Sequence, residues 1–286
     1  MYSEKQVKLY AKICEKHRQS TGPWPKITEA CRTALLKSAA SSTEKSAATS
    51  PRPHILDIAC GPGEPATMLA QAMPHAQVVA TDYDQNMVDM AEQNAACIAM
   101  PNLTFQIADM QDLNQFPSDS FDAVTCCYGI MFPEDKDKAF REIYRVLKPN
   151  GSFIATYWTR VLFKELGRKV MEQVLGHSPP PRKANPLFFA EPGMLESMLT
   201  KEHLFDDDCI AVQEYSYDFT LSHHTDDDET LRMCFFPMIE KLDELQGWAI
   251  ARKVFDEHKL EYGDVDANGI YVVRDNFFKM VVATKR

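Results

Sequence analysis

The sequence predicts an α/β fold in which a doubly wound, mostly parallel sheet carries helices on both faces. Three observations predict it. From residue 54 onward, short apolar runs alternate with longer helical patterns. The first run, in His54-Ile-Leu-Asp-Ile-Ala-Cys-Gly-Pro-Gly-Glu-Pro-Ala66, breaks into a glycine turn and enters helix-forming sequence. Twenty-one residues after Gly61, the next run, Gln77-Val-Val-Ala-Thr81, ends in the carboxylate of Asp82.

Taken in order, residues 3–19 place Val7, Tyr10, Ala11 and Cys14 at helical spacing, an amphipathic helix for the core or a cleft. Thr21-Gly-Pro-Trp-Pro25 breaks that pattern, and a second helix is expected from Ile27 to Lys37. Residues 1–37 thus read as a helical lid, and residues 38–53, small and polar, as a flexible linker. The core spans 54–158, with strands at 54–58, 77–81, 103–107, 121–127 and 151–158 and helices near 65–73, 86–99 and 135–147. Lys148-Pro-Asn-Gly151 reads as a helix stop and turn. Residues 159–286 read as a substrate cap plus the strands that complete the same domain. They hold helix 161–175, an extended proline-rich loop at 176–186, a helix at 192–200 and a long strand at 209–221. A helix at 229–258, broken at Pro237, follows the acidic run 226–229, and a final strand pair is expected at 269–274 and 277–284.

With 286 residues, 45% of them hydrophobic, the chain can bury a sizeable core without disulfide or metal support. The net charge of −10 has the wrong sign for neutralising nucleic-acid phosphates, so no nucleic-acid partner is expected and a neutral or cationic small substrate is favoured. The eight cysteines form no Cys-x-x-Cys and lack companion histidines, which predicts reduced, mostly buried thiols and no metal site. No secretory signal and no stretch of about 18 apolar residues is present. A protein of the cytoplasm or an organelle matrix, not secreted, is expected, as a monomer or homodimer; a removed targeting peptide would be invisible.

A strand that ends in Gly61-Pro-Gly63 and turns into a helix lets the backbone approach a ligand, because neither glycine has a Cβ. Pro65 suits the first helical turn. Asp82 stands where a carboxylate can accept from both hydroxyls of an adenosine ribose. Two cofactors fit these features, since Gly-Pro-Gly-Glu-Pro-Ala also matches the dinucleotide fingerprint. The rest of the set is Asp57 inside the first strand, Asp109 in Gln106-Ile-Ala-Asp-Met110, Phe121-Asp-Ala-Val124, and Arg145-Val-Leu-Lys-Pro-Asn-Gly151. Over residues 54–158 this set resembles the class I S-adenosylmethionine-dependent methyltransferases, and within them the ubiquinone/menaquinone-biosynthesis type.

The resemblance implies a Rossmann-like, seven-stranded, mostly parallel sheet with an antiparallel terminal strand, N-terminal helices and an insertion in the C-terminal half forming a substrate cap. It implies S-adenosylmethionine as cofactor and S-adenosylhomocysteine as product. Asp57 and the backbone at Ala59 and Gly61 would face the methionine part, with Gly63 in the same loop, and Asp82 would take the ribose hydroxyls. Tyr83 joins the cofactor set, Met87 would pack on the adenine, Asp109 would accept from its amino group, and Met110 would add a backbone contact. Cys127 and Tyr128 would line the methionine part and the acceptor. One departure stands in the loop: the family commonly has a third glycine where this chain has Glu64-Pro65-Ala66.

Several of these residues also have ordinary structural roles. Asp84 is the better helix cap than Asp82. Met87 serves core and cofactor wall equally well, and at least one of Cys126 and Cys127 fills the core, with no nucleophilic cysteine expected. Tyr10, Trp24, Tyr128, Trp158 and His223 are the candidate substrate-binding residues, with Tyr128 also the candidate catalytic residue. No histidine pairs with a carboxylate at suggestive spacing, so no general base is expected and the acceptor would arrive already nucleophilic. An NAD(P)-linked oxidoreductase and a non-catalytic S-adenosylmethionine-binding protein are the competing readings.

Overall fold

A computed structural model describes residues 3–41, 52–96, 98, 100–161, 163–180, 185–224 and 228–286. The sheet runs β3-β2-β1-β4-β5-β8-β6, with a short β7 paired to β8. Its first five strands, β1 (His54–Ile58), β2 (Gln77–Asp82), β3 (Leu103–Ile107), β4 (Phe121–Cys127) and β5 (Leu147–Arg160), are parallel. β1 lies between β2 and β4, so Ile55, Leu56 and Asp57 are fully buried. β3 is the edge strand, and none of its residues is fully buried.

The C-terminal half completes this sheet. β8 (Ile270–Thr284) is antiparallel to both β5 and β6 (Ile210–His224), and β7 is Gly263–Val265. The expected pair of final strands is thus one strand of 15 residues, and the sheet has eight strands rather than seven. Asp275-Asn276 reads as a turn in sequence but forms a bulge: Asp275 has φ +55° and its N–H donates to Asp218 Oδ1 at 3.0 Å. The buried Asn276 Nδ2 donates to the Val273 carbonyl at 3.2 Å, so side chains satisfy the local backbone and the strand continues. The antiparallel β8 beside β5 departs from the all-parallel order of the dinucleotide-binding fold.

Helices cover both faces. α1 (Glu4–Cys14) starts at a Ser3 capping box, and a 3-10 turn, Glu15–Arg18, follows it. α2 (Pro23–Ser41) begins earlier and ends later than the sequence indicates, because Pro23 and Pro25 occupy the first turn, where a missing N–H costs nothing. Its Ile27, Cys31 and Ala34 pack with Ile55, Leu69, Ala123 and Ile154, so α2 belongs to the sheet layer and not to a lid. Of the expected linker, residues 38–41 are helical and 42–51 lie outside the described residues, as do 181–184 of the proline-rich loop and 225–227 before the acidic helix start. α3 (Ala66–Ala72), α4 (Gln85–Ala95) and α5 (Lys136–Val146) follow their strands as crossover helices. α5 buries Ala139, Phe140, Ile143 and Val146 at helical spacing, and Asp135 caps it by accepting from Lys138 N–H at 2.9 Å.

Beyond β5 come α6 (Phe163–Leu175), α7 (Met194–Thr200), α8 (Asp228–Cys234), α9 (Ile239–Glu244) and α10 (Trp248–Tyr262). α6, α8 and α10 share a second core around Leu166, Val170, Leu231, Phe235, Val254 and Phe255, against which Leu9 and Ile13 of α1 also pack. No described helix is long and apolar enough to cross a membrane.

Candidate active site

The carboxyl ends of β1, β2 and β4 meet where the strand order reverses, the place at which open α/β sheets bind ligands. Parallel register sets Asp57 beside Ala80 and Thr125 and carries the chain of each strand out at the same level. After β1 the backbone turns through Ala59 (φ +54°) and Gly61 (φ +53°), and after β4 through Tyr128 (φ +57°). Left-handed backbone at a non-glycine residue is strained, so Ala59 and Tyr128 mark two turns held by their surroundings. They are held by each other: a Cβ on Gly129 would lie 2.5 Å from the Ala59 Cβ and 2.9 Å from the Cys126 Sγ.

Asp82 braces the glycine turn from β2. Its Oδ2 accepts from Gly61 N–H at 2.9 Å and its Oδ1 from Asp84 N–H at 3.0 Å. Each oxygen keeps a second lone pair, which is what two ribose hydroxyls need. Burial pushes this carboxyl up, against the pull of the N–H groups it accepts from. Asp84 is the helix cap, accepting from Asn86 N–H at 3.0 Å. The loop is tied to α4 as well, because Asn94 Nδ2 donates to the Pro62 carbonyl at 2.9 Å. Gly63 (φ +104°) faces that helix: a Cβ there would stand 3.2 Å from the Ala91 Cα, so helix packing already accounts for this glycine.

Asp57 is buried completely. Its Oδ1 accepts from Thr125 Oγ1 at 2.5 Å, while its Oδ2 has no hydrogen-bond partner among the described residues. Burial, with Glu64 and Asp82 nearby, pushes its carboxyl up to about 7, although the Thr125 bond and the backbone N–H of Ala66 pull the other way. An unpartnered buried carboxylate oxygen costs about 1–3 kcal/mol, and an incoming ammonium group would remove that cost. Toward the adenine side, Tyr83 is 61% exposed, and Asp109 is exposed with its Oδ1 accepting from Gln111 N–H at 2.9 Å. Met110 is half-buried against the main core. Met87 is buried in the core cover of α4, which favours its packing role over a cofactor wall.

The side beyond β4 and β5 is aromatic. Tyr128 and Trp158 stack at 4.0 Å with 8° between planes, and Tyr217 stacks on Trp158 at 5.9 Å. His17 lies edge-on to Tyr128, Tyr217 and Trp24 at 5.4–5.9 Å. Its Nδ1 shares a hydrogen bond with the Tyr217 hydroxyl, and burial pushes its pKa down to about 3, so the imidazole is neutral. Burial pushes the Tyr128 hydroxyl well up. Tyr10 reaches from α1 over the glycine turn, its ring 3.6 Å from where a Gly61 Cβ would sit, and it packs on Phe236 at 5.4 Å. Cys127 is half-buried, accepts from the Thr156 hydroxyl at 3.4 Å, and has its thiol pushed well up by burial, which leaves it no nucleophilic character.

The residues expected from sequence therefore converge, except Met87 and Gly63, which have packing roles, and His223, a β6 residue whose side chain lies outside those described. His17, Arg18, Glu64 and Tyr217 were missed. His17 had a signal, since Tyr10, Cys14 and His17 recur at i, i+4 and i+7, one helical face. Two ion pairs also tie the N-terminal segment to distant ones: Arg18 with Glu64 of the glycine loop, and Lys12 with Glu229 of α8. A groove of about 740 Å³ between α2 and the outer strands, lined by Lys26, Glu29 and Tyr215 among others, is separate from this site.

Residues 55–151 match the family model described as a methyltransferase domain. The ubiquinone/menaquinone biosynthesis C-methyltransferase UbiE of Geotalea daltonii is 33% identical over 121 residues, covering 41% of this chain and 51% of that protein. The demethylmenaquinone methyltransferase of Symbiobacterium thermophilum is 37% identical over 107 residues, covering 36% and 42%. The chain spans about half the length of the curated relatives it matches. Among solved structures, phosphoethanolamine N-methyltransferase 2 of Haemonchus contortus, in complex with S-adenosyl-L-methionine, has a TM-score of 0.55 at 20% identity, covering 100% of this chain and 58% of that one. The YcgJ protein from a Bacillus species has a TM-score of 0.50 at 22% identity, covering 89% and 99%. These likenesses establish the fold.

Proposed function

We infer that the chain, whose residues 55–151 match a methyltransferase domain, is a class I, S-adenosylmethionine-dependent methyltransferase acting on a small metabolite. The observation that carries this is the meeting of Gly61, Asp82 and the unpartnered Asp57 oxygen at the sheet's switch point, under an aromatic lid. The residues fit the cofactor. Asp82 would hold the ribose hydroxyls, and Tyr83, Asp109 and Met110 would flank the adenine. Ala59, Gly61, Asp57 and Cys127 would line the methionine part.

Bound there, the cofactor supplies a methyl group on a sulfonium, ready for in-line displacement. What the chain adds is position and dryness. Tyr10, Trp24, Tyr128, Trp158 and Tyr217 bound an apolar seat that excludes water, and holding the acceptor in line is worth up to about 7 to 11 kcal/mol in ideal cases. His17, neutral and bonded to Tyr217, fixes one wall of that seat. Its pKa of about 3 makes it a poor proton acceptor at neutral pH, which favours an acceptor that arrives nucleophilic at nitrogen, sulfur, oxygen or carbon. The charge of −10 favours a neutral or cationic acceptor over a nucleic acid. The free thiols at seven described cysteines favour a reducing, intracellular compartment.

Labelled S-adenosylmethionine with a panel of amines, thioethers, phenols and quinols, followed by mass analysis of product, tests the activity. Methyl transfer to a member of the panel supports it. Tight NAD binding without S-adenosylhomocysteine binding overturns it.

A further inference from the structure

Adenosine recognition leaves one pair of charges at the site unexplained. Glu64 directly follows the second glycine of the loop, and its side chain turns inward, only 10% exposed. Its Oε1 pairs with the Arg18 guanidinium, and its Oε2 accepts from Met68 N–H at 3.1 Å. Arg18 is half-exposed at the end of the lid, with its guanidinium 5.9 Å from the Trp24 ring. Glu64 is near enough to Asp57 and Cys14 to raise the pKa of both. A guanidinium and a buried carboxylate thus meet directly after Gly63, and that carboxylate is close enough to act on the charge of Asp57, whose Oδ2 is unpartnered.

The amino-acid end of S-adenosylmethionine is a zwitterion, with an ammonium and a carboxylate on one carbon. A guanidinium and a carboxylate side by side present the complementary charges, and a planar guanidinium binds a carboxylate with two parallel hydrogen bonds. Resting on the methyltransferase reading, we propose that Arg18 and Glu64 are the receptor for this end of the cofactor. Arg18 takes the carboxylate, and Glu64 together with Asp57 takes the ammonium. With no ligand between them the two side chains satisfy each other. Because Arg18 belongs to the lid and Glu64 to the glycine loop, the zwitterion bridges the two and holds the lid shut over the methyl group. The acidic residue after Gly63 is then part of the binding site.

Calorimetry with three probes tests this on the intact chain: S-adenosylhomocysteine, its decarboxylated analogue S-adenosyl-3-thiopropylamine, and 5′-methylthioadenosine, which lacks the amino-acid end. The wild-type protein is expected to bind S-adenosylhomocysteine about ten- to a hundredfold more tightly than either truncated probe, the loss that charge-assisted hydrogen bonds carry. Arg18→Met should weaken S-adenosylhomocysteine by a similar factor and leave 5′-methylthioadenosine within about twofold, and Arg18→Lys should recover part of the loss. Glu64→Gln should weaken both amine-bearing probes. Equal wild-type affinity for all three probes overturns the proposal whatever the variants do, and leaves the methyltransferase reading intact. Binding of none of the three overturns that reading as well.

Discussion

The two halves of the site are built in opposite ways. The proposed cofactor half comes mainly from one stretch, residues 57–110, in which the turn at Gly61 and the left-handed Ala59 stand beside the carboxylates of Asp57 and Asp82. The proposed acceptor half is gathered from Tyr10 in α1, His17 in the 3-10 turn, Trp24 in α2, Tyr128 after β4, Trp158 in β5, Tyr217 in β6 and Phe236 after α8. It offers side chains only. On this reading a ligand shared across a fold would be met by short-range geometry, whereas an acceptor that differs among enzymes of one fold would be met by aromatic surface gathered from residues as far as 200 apart in sequence.

If the halves differ in this way, damage to each should have a separate signature. The largest effect is expected at Asp57. Its folded carboxyl is raised to about 7 from an ordinary value near 3.8, so between those values the native state holds a proton that the unfolded chain has released. Stability therefore falls as pH rises from about 4 to about 7, by about 1.4 kcal/mol per unit and up to about 4 in all. Asp57→Asn should remove this slope in denaturant titrations across that range, and an identical slope in the variant contradicts the assignment. Next, Asp82→Ala should weaken S-adenosylhomocysteine by roughly 1.5 to 3 kcal/mol while leaving acceptor KM almost unchanged. An unchanged dissociation constant would remove Asp82 from the site.

On the other half, Trp158→Leu should raise acceptor KM about tenfold, near 1.4 kcal/mol, and leave S-adenosylhomocysteine affinity within about twofold. Equal losses in both would show that the halves are not separable. The smallest effect belongs to the lid's outer tie. Lys12→Ala breaks a partly exposed pair with Glu229 and should cost at most about 1 kcal/mol, disappearing in high salt when melting is followed at two ionic strengths.

The same contrast decides what could be read from sequence. The strand-turn-helix at 54–66, the carboxylate at 82 and the cap at Asp84 are short-range patterns, and each lies where the sequence puts it. Tyr128 and Trp158 were legible because they follow or end strands on the cofactor side. Tyr217 was not, since a tyrosine in a long strand gives no sign of which neighbour it meets, and its partner His17 lies 200 residues away. The last strand was misread as two because Asp275-Asn276 has turn composition, and only the bonds to Asp218 and Val273 show that the chain runs on. Gly63 carries no local sign that its missing Cβ makes room for Ala91 rather than for a ligand.

The central claim is that the switch point holds an S-adenosyl cofactor and that Asp82 is its ribose anchor. Titrating the wild-type protein and Asp82→Ala with S-adenosylhomocysteine and with NAD in a calorimeter tests it most directly. The account predicts saturable S-adenosylhomocysteine binding in the wild type, about ten- to a hundredfold weaker in the variant, and no NAD binding in either. Saturable NAD binding that Asp82→Ala weakens, with no heat from S-adenosylhomocysteine, would contradict it.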